Sequence, residues 1–257
     1  MKRIVLKRLA TLVMLSVVLG SCSNQGPLRL KIIGGTAVTE QDPLSKSMGL
    51  LVDQNGKLSC SVVAISPGVF LTAAHCLFNL SLAGWHVQTG LKLGVGDSLA
   101  VESATIHEEY SPASMYSLTP DRPANDLAII RTTEPWTSAA YVSLLSPEAR
   151  QDLVLPRSVT IVGYGRTVGN NSASTGTLTS GQVSVTSSGA GRYEFISEQS
   201  DGVMGCRGDS GGAAFDTNHK NLLVGIVSRG DSQCTEGKTV YTDVSAYSEF
   251  LPQKGVN

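Results

Sequence analysis

Two segments far apart in the chain carry residue types that could perform nucleophilic catalysis. His75 lies in segment 72–76 (TAAHC), and Ser210 lies in segment 208–212 (GDSGG). A neutral serine hydroxyl is a weak nucleophile and needs a base within hydrogen-bond reach to take its proton. Glycines beside the serine allow backbone conformations that point N–H groups at a developing oxyanion. The two segments therefore indicate a serine nucleophile with a histidine base.

A third member of this group is indicated at Asp126. It precedes the apolar run 127–130 (LAII), which predicts burial, and a buried anion needs a hydrogen-bond donor. The Nδ1–H of His75 is the natural donor, because it would fix the tautomer of the ring and stabilise the imidazolium. Asp121 is the nearest rival carboxylate, but no such run follows it.

On these residues the chain resembles the chymotrypsin- and trypsin-like serine proteases. The order His75, Asp126, Ser210 is the order in that family. Further segments that resemble the family in order are 31–35 (KIIGG), 163–166 (GYGR), 225–228 (GIVS) and 240–244 (VYTDV). The resemblance runs from about residue 32 to the C-terminus. It implies an all-β fold of two six-stranded antiparallel β-barrels, residues 32–140 and 141–257, with a short C-terminal helix and the active site between the barrels.

The composition is that of a folded, turn-rich β protein. The 257 residues are 41% hydrophobic and only 16% charged, which excludes a disordered chain. A net charge of −1 provides no basic field for nucleic acid, and no metal-type cluster of Cys and His occurs in the sequence. We therefore expect no metal, no cofactor and no nucleic-acid partner.

Short apolar runs between Gly, Pro, Asn and Ser clusters predict a series of strands. The predicted strands are 61–65, 69–72, 127–131, 158–163, 182–186, 222–228 and 239–244. The Ser-, Thr- and Gly-rich stretch 170–181 predicts a surface loop, and 247–253 predicts a short closing helix.

The N-terminus has the pattern of an export signal. Basic residues are followed by the apolar stretch 9–19, which is too short to span a bilayer comfortably, so we interpret 1–21 as a signal peptide. Segment 19–22 (LGSC) resembles a bacterial lipobox, which would leave Cys22 lipidated and 22–31 as a propeptide or linker. The alternative is an ordinary secretory signal. The expected location is the bacterial cell envelope for a lipid-anchored precursor, or outside the cell after activation.

The chain has five cysteines, and an odd number in an exported protein leaves one without a partner. If Cys22 is acylated, the other four can form two disulfides. The resemblance implies the pairs Cys60–Cys76 and Cys206–Cys234. The alternative, four reduced thiols, does not suit an exported protein.

The resemblance also implies how the site is assembled. The amides of Gly208 and Ser210 would form an oxyanion hole. Cleavage after Lys31 would free the α-amine of Ile32, which would pair with Asp209, so the full-length chain would be an inactive zymogen.

By the same resemblance, substrate preference depends on a few positions. Met204, followed by Gly205, stands where trypsin-like members have aspartate, and Gly230 would leave one wall of the pocket open. Thr239 replaces a glycine that is usual in deep pockets, and it should narrow this one. Small or medium apolar residues before the cut are therefore expected. Because such a pocket suits Lys31 poorly, we expect a separate trypsin-like activator.

Ser228 and Arg229 lie on the segment that resembles the substrate-binding strand. Arg229 stands where the family has tryptophan, and Arg207 lies at the predicted pocket mouth. Each arginine taken singly is expected to be a solvated surface charge. Together they suggest a weak preference for acidic groups near the scissile bond.

The sequence thus predicts an exported serine endopeptidase that acts on proteins or peptides through an acyl-enzyme. The first alternative is a catalytically idle, surface-anchored binding module on the same scaffold. A serine esterase is a third possibility, because it would use the same nucleophile.

Overall fold

Short, largely buried strands form two closed antiparallel β-barrels. The computed structural model describes residues 32–118, 121–150, 157–169, 171–231 and 233–253. The predictions for the signal peptide 1–21, the linker 22–31, Cys22 and Lys31 lie outside these residues.

The first barrel comes from the N-terminal half of the chain. After the short strand β1 (Thr36–Ala37), its strands are β2 (Met48–Val52), β3 (Leu58–Ser66), β4 (Val69–Thr72), β5 (His86–Thr89), β6 (Ser98–Ile106) and β7 (Ala128–Thr132). They pair in the order β2-β3-β4-β7-β6-β5, and pairing of β5 with β2 closes the barrel. Apolar side chains such as Val62, Leu71 and Ile130 are fully buried, so burial of apolar surface stabilises the barrel.

The second barrel follows the same plan. After β8 (Ser143–Leu144), its strands are β9 (Arg157–Gly163), β10 (Thr179–Ser188), β11 (Glu194–Glu198), β12 (Ala213–Asp216), β13 (Leu222–Gly230) and β14 (Lys238–Asp243). They pair in the order β10-β11-β14-β13-β12-β9, and pairing of β9 with β10 closes the barrel. The all-β prediction of two six-stranded barrels is confirmed.

Helices are short throughout the described ranges. The α-helices are α1 (Pro147–Arg150) and the C-terminal α2 (Phe250–Gln253), and the 3-10 turns are Pro43–Lys46, Ala74–Cys76, Pro112–Tyr116, Ser172–Ser174 and Val244–Tyr247. None of the helices within those ranges has the length and apolar character needed to cross a membrane. The predicted closing helix corresponds to the last 3-10 turn and α2.

The loop prediction for 170–181 is wrong at its C-terminal end. Thr179 begins strand β10, and both Thr179 and Leu178 are fully buried. The strand is polar in sequence, but it pairs with β1 on one side at Ser180 and with β9 along its length. Backbone pairing with several neighbours can hold a strand whose own residues have little β preference.

Candidate active site

His75 lies on the 3-10 turn that follows β4, at the edge of the first barrel. The disulfide Cys60–Cys76 joins this turn to β3. The backbone N–H of His75 donates to Asp126 Oδ1 at 2.8 Å, and Nδ1 lies 2.8 Å from Asp126 Oδ2. An ionised carboxylate only accepts hydrogen bonds, so Nδ1 carries the ring proton. The lone pair of the neutral ring is then on Nε2, where a base needs it.

Asp126 is fully buried just before β7, and both barrels supply its hydrogen bonds. Besides the two contacts with His75, Ser228 Oγ of β13 donates to Asp126 Oδ2 at 2.7 Å. Thr242 Oγ1 of β14 donates to the Asp126 carbonyl oxygen at 3.0 Å. The rival carboxylate, Asp121, is exposed. Asp126 is therefore the carboxylate that the structure places against His75.

The surroundings of His75 favour its protonated form. Burial alone would lower the pKa of the imidazole, but the charge of Asp126 and its hydrogen bond outweigh burial. The pKa of His75 is therefore raised above its ordinary value, although the nearby Arg229 cation opposes the rise. A histidine in this state can take a proton and hold it while the anion beside it remains charged.

The turn that carries Ser210 belongs to the second barrel but is fastened to the first. The disulfide Cys206–Cys234 anchors its N-terminal side. The backbone N–H of Ser61 on β3 donates to the Ser210 carbonyl oxygen at 2.8 Å. The Ser61 hydroxyl donates to the carbonyl oxygen of Gly208 at 3.0 Å. Nothing in the sequence pointed to Ser61, because its contacts lie 147 residues away.

Gly211 lets this turn approach the first barrel closely. Its φ is +76°, and a side chain there would collide with Thr72 Oγ1 and with the carbonyl oxygen of Ser61. This close approach brings the two halves of the site together. His75 and Ser210 line the same cleft.

Two backbone N–H groups of the turn, those of Gly208 and Ser210, are predicted to form an oxyanion hole. Gly208 has φ +94°, a conformation that glycine adopts without strain. Over the part of the chain that the structure describes, neither the Gly208 N–H nor the Ser210 N–H donates an intramolecular hydrogen bond. Ser210 lines the cleft, and Gly208 precedes it in the same turn.

Asp209 is buried beneath the turn, with 1% of its surface exposed. Its carboxylate accepts the backbone N–H of Gly165 at 2.8 Å and of Cys206 at 2.9 Å. Among the described residues no basic side chain pairs with it. Burial therefore raises its pKa to about 7, although the two backbone donors oppose the rise.

Ile32 lies in the same buried region. Its side chain is almost fully enclosed, and its backbone N donates to Thr179 Oγ1 at 2.8 Å. Thr179 Oγ1 in turn donates to the carbonyl oxygen of Gly163 at 3.4 Å. A side chain on Gly163 would collide with the Asp209 carboxylate. Thr179, which accepts the N–H of Ile32, and the Asp209 carboxylate thus both lie beside Gly163.

The predicted specificity residues mostly line the cleft. Gly205, Ser228, Gly230 and Thr239 are part of its wall. A β-carbon on Gly205 would lie 3.1 Å from Thr239 Oγ1 and 3.2 Å from its methyl carbon, so the threonine stands directly opposite Gly205. Met204 is buried outside this wall, and its N–H donates to the carbonyl oxygen of Ile33 at 3.1 Å.

The expectation that Arg229 is a solvated charge is wrong. Its side chain is buried and forms an ion pair with Glu194, with Nη2 2.9 Å from Oε2. Because the guanidinium is paired inside the protein, it is not free to select acidic substrates. Arg207 is exposed and does line the cleft. Glu194 could not be identified from the sequence, since a lone glutamate on a short strand has no distinguishing local pattern.

The segment before Asp126 also depends on residues that sequence analysis did not identify. Asn125 has φ +48°, a left-handed conformation that asparagine tolerates better than most residues. Its Oδ1 accepts the Tyr247 hydroxyl at 3.0 Å, and its Nδ2 donates to the carbonyl oxygen of Glu109 at 2.9 Å. These contacts fix the turn that delivers Asp126 to His75.

One group of potential metal ligands occurs near the site, namely Cys60, His75 and Cys76. Both cysteines are held in a disulfide, so neither offers the thiolate that a metal requires. The group therefore does not form a metal centre.

Comparison with known proteins shows the family of the chain. The family model described as Trypsin matches residues 32–251. Chymotrypsin-C of Mus musculus is 29% identical over 252 residues, covering 88% of this chain and 90% of the mouse protein. Trypsin beta of Drosophila erecta is 27% identical over 213 residues, 78% of each chain.

A solved structure shares the fold. Neuropsin, a serine protease expressed in the limbic system of mouse brain, superimposes with a TM-score of 0.67 at 21% identity. The match covers 82% of this chain and 95% of the neuropsin chain. At this identity the likeness concerns the arrangement of the two barrels.

Proposed function

Because the chain belongs to the trypsin family and is a chymotrypsin-like serine endopeptidase, we propose that it cleaves protein or peptide substrates with His75, Asp126 and Ser210. The observation that carries the proposal is the 2.8 Å contact between His75 Nδ1 and Asp126 Oδ2, in a cleft that His75 and Ser210 both line.

The reaction follows from this arrangement in two stages. Ser210 Oγ attacks the peptide carbonyl carbon while His75 Nε2 takes its proton, and the amides of Gly208 and Ser210 bind the oxyanion. The tetrahedral species collapses, and His75 gives its proton to the leaving amine. Water then attacks the acyl-enzyme with His75 again as base, which releases the acid and restores Ser210. Asp126 stays ionised and stabilises the imidazolium.

A fluorophosphonate probe tests this mechanism directly. The form that begins at Ile32 should react with the probe, and the Ser210→Ala variant should not. Absence of serine-dependent labelling would favour an idle binding module. Parallel peptide and ester substrates separate an endopeptidase from an esterase.

We further propose that cleavage after Lys31 activates the protein. A freed α-amine at Ile32 would supply the cation that the buried Asp209 lacks in the uncleaved chain. The burial of Ile32, with its backbone N bonded to Thr179 Oγ1 close to Gly163 and Asp209, supports this. Lys31→Gln should therefore remain inactive when treated with a trypsin-like protease, and full activity in that variant would contradict the proposal.

We propose that the enzyme prefers small or medium apolar residues before the scissile bond. Thr239 opposite Gly205 supports a shallow pocket. Asp231 also lines the cleft, but its carboxylate accepts the backbone N–H groups of residues 233, 235 and 236. A substrate Lys or Arg would be left without a free counter-charge, so a separate trypsin-like activator is needed for Lys31. Cut-site profiling on a peptide library tests this preference.

We propose, finally, that 1–21 is a lipoprotein-type signal, that 22–31 is a linker, and that barrels 32–140 and 141–257 follow. Lipid on Cys22 would anchor the precursor in a bacterial envelope until cleavage after Lys31 releases it. The relatives named above are animal proteins, so the signal rests on the basic residues and apolar stretch of the N-terminus, and the lipid anchor rests on segment 19–22. Incorporation of a clickable fatty acid in the wild type but not in Cys22→Ser would support it.

A further inference from the structure

A buried ion pair lies behind Asp126, and the proposed reaction does not use it. The Arg229 guanidinium donates to Glu194 through two parallel hydrogen bonds, Nη1 to Oε1 at 3.0 Å and Nη2 to Oε2 at 2.9 Å. The side chains are 5% and 1% exposed. Removing two charges from water is costly, and apolar residues of similar size often give at least equal stability. The pair therefore calls for a role other than stability.

The pair reaches from the second barrel to the segment of the first barrel that leads into Asp126. Arg229 Nε donates to the carbonyl oxygen of Ser117 at 2.6 Å. Glu194 Oε1 accepts the backbone N–H of Ala124 at 3.0 Å. Ser117 and Ala124 both lie between β6 and β7, so one ion pair holds this segment at two points.

A second connection runs from Arg229 to the carboxylate itself. Arg229 Nη1 donates to Ser228 Oγ at 3.3 Å, and Ser228 Oγ donates to Asp126 Oδ2 at 2.7 Å. A hydroxyl has a single proton, and guanidinium can only donate. The contact with Arg229 therefore leaves the Ser228 proton directed at Asp126, the residue that orients His75.

We propose that Arg229 and Glu194 form an inter-barrel clamp that positions Asp126 and, through it, His75. Arg229 is a positioning residue in this proposal, which rests on the proposed function of His75, Asp126 and Ser210. The tryptophan expected at this position from the family resemblance could not supply the same set of donors, because indole offers one N–H.

The charged groups around the imidazole make the proposal testable by pH. His75 faces the anion of Asp126 from the segment before β7 and the cation of Arg229 from β13. Glu194 faces Arg229 and lies near Tyr247, whose phenol pKa is raised chiefly by burial. Tyr110, near Asp126, has its pKa raised to about 12, chiefly by burial. Arg207 and Asp231 line the same cleft, and Asp209, with a pKa of about 7 in the uncleaved chain, titrates in the same range as His75, so the pH profiles are compared between variants that all keep these groups.

The experiment measures the rate of fluorophosphonate acylation against pH for the enzyme that begins at Ile32. Arg229→Lys keeps the cation but loses the planar fork, so its maximal rate should fall about 10- to 100-fold with an unchanged pH midpoint. Arg229→Gln also loses the cation, so the pKa of His75 rises and the midpoint should move to higher pH. Arg122→Gln removes an exposed cation from the same segment and should match the wild type.

Two further measurements separate a positioning role from a purely structural one. The double variant Arg229→Met, Glu194→Leu replaces the pair by apolar side chains; if it keeps its melting temperature but loses rate, the clamp is supported. If that variant, or both single Arg229 variants, react at the wild-type rate, the clamp is refuted. The downfield ¹H resonance of His75 Nδ1–H, followed with and without Ser210→Ala, reports the position of Asp126 without turnover. If the wild-type enzyme that begins at Ile32 does not react with the fluorophosphonate, the proposed function itself is refuted.

Discussion

The buried carboxyl of Asp209 should make the stability of the uncleaved chain fall as pH rises. Its pKa is about 7 in the folded chain, against 3.8 for an unperturbed aspartate, because burial disfavours the anion. The folded state therefore binds more protons than the unfolded state between these values. The stabilising contribution is fully present below pH 3.8 and is lost as pH rises towards 7. Each pKa unit corresponds to about 1.4 kcal/mol, so the loss attributable to Asp209 is about 4 kcal/mol.

The assay is urea unfolding of the uncleaved chain from pH 4 to pH 8, in a Ser210→Ala background that prevents self-cleavage. Asp209→Asn serves as the matched control, because an amide has nearly the same shape and does not titrate. The difference in unfolding free energy between the two proteins should change by about 4 kcal/mol across this range. After cleavage on the C-terminal side of Lys31, pairing of Asp209 with the Ile32 amine should remove most of this pH-dependent change in unfolding free energy.

Two results would refute the reasoning. A pH dependence that is the same with aspartate and asparagine at position 209 would show that the buried carboxyl does not titrate as described. An unchanged dependence after cleavage would show that the new amine does not reach the carboxylate. The second result would contradict the activation proposal alone, because the pKa of the buried Asp209 would still be raised.

Three further perturbations test separate parts of the site. Asp126→Asn should lower kcat about 10⁴-fold while the melting temperature changes little, since the amide favours the wrong histidine tautomer; near-normal turnover would exclude the proposed role. Gly211→Ala should destabilise the fold by about 3 kcal/mol in urea unfolding, because a methyl group would collide with Thr72; a neutral effect would contradict the described packing. Thr239→Gly should improve cleavage after Leu or Phe at least about 10-fold relative to Ala, and an unchanged library profile would show that the wall opposite Gly205 does not set specificity.

The sequence predicts those strands and site residues whose structure depends on residues close to them in the chain. The apolar runs at 61–65 and 69–72 lie in strands, and the run at 127–131 overlaps strand β7, because their side chains need burial on a closed barrel. The pentapeptides around His75 and Ser210 are recognisable because the turn chemistry and the nearby cysteines lie within a few residues. Asp126 could be identified in the same way, because the apolar run directly after it predicts burial.

The features that the sequence did not reveal depend on distant partners. Arg229 is buried because Glu194, 35 residues earlier, faces it from β11, and no local pattern distinguishes this arginine from a solvated one. Strand residues 179–181 are polar and are held by backbone pairing with β1 and β9. Ser61 follows Cys60 without any motif, although its backbone and hydroxyl hold the turn of Ser210.

The attachment of the nucleophile turn to Ser61 bears on how such a molecule can be recombined. Neither barrel alone contains the complete site, since the turn of Ser210 in the second barrel is held by strand β3 of the first. A chimera that joins this N-terminal barrel to a C-terminal barrel from a relative would contain the histidine, the aspartate and the serine. The serine turn of the relative would still have to fit the hydroxyl at position 61 of this barrel. Exchange of a whole barrel should therefore give an active protein only when the contact between residue 61 and the serine turn is preserved.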